Sequence, residues 1–160
     1  MKPRDIAIEG TPVTATAEQI RALEAALGTR FPSGYREFML MLGEGTLGGT
    51  YIRVYPPWRI ERELEAWRDR VREYWFWDGV PKERVLASVI LGDTLDGDEL
   101  IFHACDPDDI WVLPRNSDHA LRAGHGLWSA LDWLCSAGVL TAPFTERRFQ
   151  PHDSRSEGAA

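Results

Sequence analysis

The side chains in this sequence that could do chemistry are few, and their spacing argues against most reactions. Gly43-Glu44-Gly45-Thr46-Leu47-Gly48 matches the spacing of a dinucleotide fingerprint, in which glycines let backbone amides approach a pyrophosphate at the start of a helix. Here the preceding residues read as a helix and the following ones as a strand, the reverse of a phosphate cradle, so the segment reads as a flexible turn. His103, His119, His125 and His152 show no paired spacing on a helix, and neither Cys105 nor Cys135 completes a zinc-ligand pattern with them. No serine sits in a Gly-x-Ser-x-Gly elbow, and neither cysteine has a recognisable nucleophile context. Asp93, Asp96 and Asp98 raise the question of calcium. They lack the alternate-residue ligands and closing bidentate Glu of an EF-hand loop. Carboxylates are abundant enough to pair by chance, so proximity between them decides nothing. The expectation is a protein without catalytic residues, metal or cofactor.

What does stand out is segregation. From Val85 through Pro114 there is no Lys or Arg, while Asp93, Asp96, Asp98, Glu99, Asp106, Asp108 and Asp109 all fall there. Turn preference alone could place Asp at such positions. A local negative field that steers a basic protein partner would do so too. A second surface candidate is Tyr74-Trp75-Phe76-Trp77. Successive side chains diverge by about 100° in a helix and about 180° in a strand, so the four cannot all face one core. Trp75 and Trp77 are the expected interface anchors, while Trp58, Trp67, Trp111, Trp128 and Trp133 are expected in the core.

The elements that must carry these residues follow from periodicity and caps. Thr16 and Gln19 form a capping box ahead of Ile20, Leu23 and Leu27, with Gly28 able to end the helix. Pro32 suits a first helical turn, and Tyr35, Phe38, Met39 and Leu42 give the next helix one apolar stripe up to Gly43. Tyr51 to Tyr55 alternates as a short strand closed by Pro56-Pro57. A charged helix from about Ile60 to Tyr74 follows, with Leu64, Trp67 and Val71 inward. Val85 to Leu91 reads as a central strand, and Leu100 to His103 and Ile110 to Leu113 as two more. Asp96-Gly97 between strand residues signals a type I′ hairpin. Leu127, Leu131 and Leu134 mark a last helix, and Pro151 to Ala160 reads as a frayed tail. Helices around hairpin-connected strands argue for an α+β fold with helices packed on an antiparallel-rich sheet.

Two runs of residues carry a resemblance. The first is Leu27-Gly28, Phe31-Pro32, Tyr35, Phe38 and the glycine-rich turn from Gly43 to Gly49. The second is Gly92-Asp93, Asp96-Gly97-Asp98-Glu99, the acidic loop Asp106 to Asp109, and Leu113-Pro114-Arg115. In this order they resemble the SMI1/KNR4 family, also called the SUKH superfamily, across roughly residues 14 to 135. The resemblance implies one α+β domain, taken as residues 1–150, and the polar, small composition of 151–160 marks those residues as a flexible tail. It also implies binding instead of catalysis. Bacterial members are mainly immunity proteins that bind and silence polymorphic toxins, often nucleases, and fungal members are regulatory interaction proteins.

Composition is compatible with both roles. The chain has 160 residues, 44% of them hydrophobic, enough for one core. Its net charge of -7 disfavours nucleic acid and anionic membranes as direct partners and favours a basic protein. No stretch is long and apolar enough for a membrane span, and acidic residues interrupt the amino terminus before any signal-like run, so a cytoplasmic location is expected. Two cysteines make no disulfide framework. The leading expectation is an immunity protein bound to a cognate toxin, basic and of the nuclease type. The alternative is a regulatory scaffold or small-ligand-binding domain.

Overall fold

The structure is a computed structural model that describes residues 1–48 and 51–157; Gly49, the last residue of the expected glycine-rich turn, lies outside them. A short strand β1 (Ala7–Ile8) precedes helix α1 (Ala17–Leu27). Thr16 Oγ1 accepts from the Gln19 amide at 3.1 Å, and the Gln19 side chain accepts from the Thr16 amide at 2.9 Å, so the capping box forms as read. Helix α2 (Tyr35–Met41) starts three residues after Pro32, whose carbonyl instead closes a turn by accepting from the Tyr35 amide. Tyr35, Phe38 and Met39 are buried as their stripe requires, and the Tyr35 hydroxyl donates to the Tyr55 carbonyl at 2.7 Å.

Strands β2 (Gly45–Leu47) and β3 (Ile52–Val54) follow, so part of the supposed flexible turn is a strand. Helix α3 (Pro57–Glu73) opens with Pro57 in its first turn. There the missing N–H is harmless. Its stripe Ile60, Leu64, Trp67 and Val71 is buried at alternating spacings of four, three and four. The apolar run from Val85 divides: Val85 is buried in the short helix α4 (Lys82–Leu86), and strand β4 (Ser88–Thr94) begins only afterwards. A short apolar run does not distinguish buried helix from buried strand, and Pro81 ahead of it favours a helical start. Strands β5 (Glu99–His103), β6 (Asp106–Leu113) and β7 (Leu121–His125) lead to helix α5 (Leu127–Ser136), strand β8 (Arg148–Pro151) and the single turn α6 (Ser154–Glu157).

The eight strands form one sheet in the order β1-β8-β2-β3-β4-β5-β6-β7. Only β1 and β8 run parallel; every other neighbouring pair is antiparallel. Helix α3 packs on β4, and α5 on β6 and β7. One continuous core joins them, from Phe38 and Phe149 to Phe102, Ile110 and Leu131. The α+β expectation therefore holds.

Two further expectations need correction. The hairpin between β4 and β5 exists, but it is not type I′: Leu95 and Asp96 keep negative φ, and only Gly97 turns positive at 94°. The Gly97 amide donates to the Thr94 carbonyl and the Thr94 amide to the Asp98 carbonyl, the pattern of a three-residue loop closed by a left-handed residue. The supposed tail is also tied in, at least to Ser154. Pro151 pairs with Gly45, the His152 amide donates to the Glu44 carbonyl, and Ser154 is buried with its amide on Glu44 Oε2 at 2.9 Å. Glu44 is a buried carboxylate, and this backbone donor together with the Trp58 indole N–H gives one of its oxygens partners.

Candidate functional site

The acidic stretch has no basic residue in its own sequence, but the fold brings arginines to it from elsewhere. Arg53 on β3 stands opposite Asp93 on β4, and Asp93 opposite Glu99 on β5. Arg53 donates to both oxygens of Asp93, at 2.7 and 2.5 Å, and the Tyr55 hydroxyl adds a third donor at 2.8 Å. Arg70, reaching down from α3, pairs with Glu99 at 2.5 Å. Burial pushes the Glu99 carboxyl up, and Arg70 pulls it partly back. Asp98 is buried: it accepts from Thr94 Oγ1 at 2.6 Å and the Arg115 amide at 3.0 Å, which locks the hairpin.

At the other end of β5, Asp108 accepts both guanidinium nitrogens of Arg30, at 3.0 and 2.9 Å, and the Ser33 amide at 2.7 Å. The Arg30 bonds above all, with the Ser33 amide, hold its carboxyl well below the usual range. Asp109 pairs with Arg122 on β7 and accepts the Trp111 indole N–H. Of the seven acidic residues, Asp96 and Asp106 alone are exposed and form no ion pair among the described residues. The expected uninterrupted negative field is therefore largely cancelled, because cross-strand partners come from distant parts of the chain.

The aromatic run is also redistributed. Tyr74 ends α3 with extended backbone, so the next residues alternate with a period of two. Tyr74 and Phe76 point outward, 63% and 52% exposed, while Trp75 and Trp77 pack against the core, edge to face at 5.6 Å. The Trp77 indole donates to the Pro114 carbonyl at 2.7 Å. Leu113-Pro114-Arg115 thus fastens both the aromatic segment, through Pro114, and the acidic hairpin, through Arg115.

Between these two features lies a groove of about 570 Å³. Asp93, Glu99 and the Tyr55 hydroxyl group in its lower wall are mostly covered by their partners, whereas Tyr74, Phe76, Arg70 and Arg115 line it with exposed surface. Tyr55 keeps its proton, since burial and then Asp93 push its phenol far up. Three of the sequence-predicted residues, Asp93, Glu99 and Trp77, meet here, with Asp96 and Asp98 in the adjoining turn. Asp106, Asp108, Asp109 and Trp75 do not line it. Sequence reasoning missed Arg70, Arg115, Tyr74 and Phe76. The period-two reading of the aromatic run would have found the last two, and Arg115 stands in the Leu113-Pro114-Arg115 signature without being read as a contact residue, but nothing in the sequence marks Arg70.

Among the described residues no three His, Cys, Asp or Glu side chains are placed to hold a metal ion. The groove itself combines exposed aromatic surface, arginine forks and recessed acceptors, which suits recognition of another protein's side chains. A family model described as SMI1 / KNR4 family (SUKH-1) matches residues 14–123, a span that includes the groove. No curated protein matches the chain.

Proposed function

The chain belongs to the SMI1/KNR4 family, and on that premise we propose that it is a non-enzymatic immunity protein. It acts inside the producing cell, where it occludes a cognate toxin through the groove between α3 and the β4–β5 hairpin. The observation that carries this reading is the pairing of exposed Tyr74 and Phe76 with Arg70 and Arg115 around one cavity. Tyr and Arg are enriched among residues that dominate interface energies, and neighbouring near-neutral contacts keep water out. The net charge of -7 supports a basic partner such as a nuclease, since it attracts positive charge at long range.

The test is association with the product of the adjacent toxin gene, together with rescue of cells that express that toxin. Replacing Tyr74 and Phe76 together by Ser should weaken binding by about thirtyfold or more, the loss of at least one hot-spot residue. Melting should be almost unchanged, because both side chains are already exposed. Undiminished rescue by the double variant would place the interface elsewhere on the molecule.

Long-range attraction is separable from this contact. Asp96→Lys with Asp106→Lys reverses the two free carboxylates without breaking an ion pair. It should slow association by about three- to tenfold at low ionic strength, and the deficit should shrink once salt reduces the Debye length to about 10 Å or less. Stopped-flow association at two salt concentrations reads this directly. Equal rates for both proteins at both salts would remove these carboxylates from the encounter.

A further inference from the structure

On the far side of the Arg53–Asp93 pair lies a second cavity, of about 340 Å³. Arg53 on β3, Arg59 and Arg62 on α3, and His152 beyond β8 converge on it, with the hydroxyl-bearing Thr46 and Ser154. One carboxylate, Glu63, lies in the lining and is shared between Arg59 at 3.1 Å and Arg62 at 3.4 Å. Asp93 holds Arg53 from the groove side. Arg59 is fixed by stacking over the Tyr55 ring at 3.9 Å, a cation–π contact that leaves its position independent of any ligand. Arg62 is the loosely held member. It is about half exposed, and its contacts to Ser154 are long, at 3.3 and 3.5 Å. His152 Nδ1 is buried without a hydrogen-bond partner among the described residues. Three guanidiniums thus face one cavity with two carboxylates, Asp93 and Glu63, against them.

We infer that this cavity binds a phosphate-class oxyanion, either the free ion or the head of a small phosphate monoester. The guanidinium N–H groups left over from the Asp93 and Glu63 pairs can donate to such oxygens, Arg62 with the most freedom, and donors arriving from two elements suit a tetrahedral group better than a planar carboxylate. His152 and the hydroxyls of Thr46 and Ser154 add smaller polar groups, and Leu95 offers one apolar wall to an organic remainder. The site is separate from the toxin-facing groove, and its occupancy does not depend on that assignment.

The experiment is an NMR titration of the full chain with inorganic phosphate, phenyl phosphate and, at matched ionic strength, acetate. Saturable shifts around Arg53, Arg62 and His152 are expected for both phosphates, with half-saturation below about 5 mM, and non-saturating shifts for acetate. Tighter binding of phenyl phosphate would identify a monoester as the natural class. Binding of inorganic phosphate alone would identify the free ion. Arg62→Gln should raise the half-saturation concentration by about fivefold or more, Arg62→Lys by less because it keeps a charge without the fork, and Arg36→Gln on α2 not at all. The inference is overturned if neither phosphate gives saturable shifts, if acetate matches them, or if Arg62→Gln titrates as the unaltered chain does.

Discussion

Gly43→Ala should cost about 3 kcal/mol or more of stability, since strain at a left-handed position and overpacking each contribute about 1 to 3 kcal/mol. Gly43 links the end of α2 to β2 at φ 72°, and a Cβ there would lie 1.9 Å from the Val13 carbonyl oxygen and 2.6 Å from Thr14 Cα. Both neighbours are backbone, so no rotamer change relieves the clash. Moving them breaks the Glu44 amide's bond to Val13 and disturbs the Ala15 amide's bond to Met39. Gly28 provides the control. It is also left-handed, at φ 69°, but has nothing within 4 Å of its virtual Cβ, so Gly28→Ala should cost only the conformational penalty of about 1 to 2 kcal/mol. Urea melts of the two variants, compared under one condition, isolate the close approach. Equal losses would mean that the segment at Val13 can retreat and that the packing there is not tight.

Asp108→Ala should destabilise the fold by about 1 to 2 kcal/mol near neutral pH, the range for hydrogen bonds to a charged group reduced by the solvent exposure of Arg30 and Ser33. The carboxylate holds Arg30 and the Ser33 amide ahead of α2, where the Asp108 backbone carbonyl also accepts the Gly126 amide and the Ser33 carbonyl the Leu127 amide at the start of α5. Its pH dependence has a definite sign. The folded carboxyl is held below its unfolded value, so its contribution is complete above the ordinary Asp range near about pH 4 and is lost as pH falls through and below it. The difference in melting between the unaltered chain and Asp108→Ala should therefore narrow between about pH 7 and pH 3. A constant difference would mean that the ionised form has no special role. The same contacts exclude Asp108 from the class of exposed loop charges that can be reversed without harm.

Local rules were legible where neighbours in sequence are also neighbours in space. The capping box at Thr16, the stripe through Ile60, Leu64, Trp67 and Val71, and the hairpin at Gly97 are complete within a few residues. Strand β1, with two residues, and β7, whose Leu-Arg-Ala-Gly-His carries little apolar pattern, had no comparable signal. They are strands because a partner edge supplies their hydrogen bonds. The site divided along the same line. The acidic turn and the aromatic run could be read directly, but register and topology decide which arginine faces which carboxylate. Arg53 meets Asp93 across forty positions and Arg30 meets Asp108 across seventy-eight. A segment's charge was therefore visible while its field was not.

The strand order also has a consequence for synthesis. Strand β8 sits between β1 and β2, so until residues 148–151 have been made, β1 has no partner and β2 presents an unpaired edge. A nascent chain in that state exposes ready-made templates for pairing with other chains, and it closes them only by threading one late segment between two early ones. Such long-range closure is slow to form. The interval between making β2 and making β8 is thus when this protein is most exposed to misassembly, and shortening the chain before Arg148 would make that interval permanent.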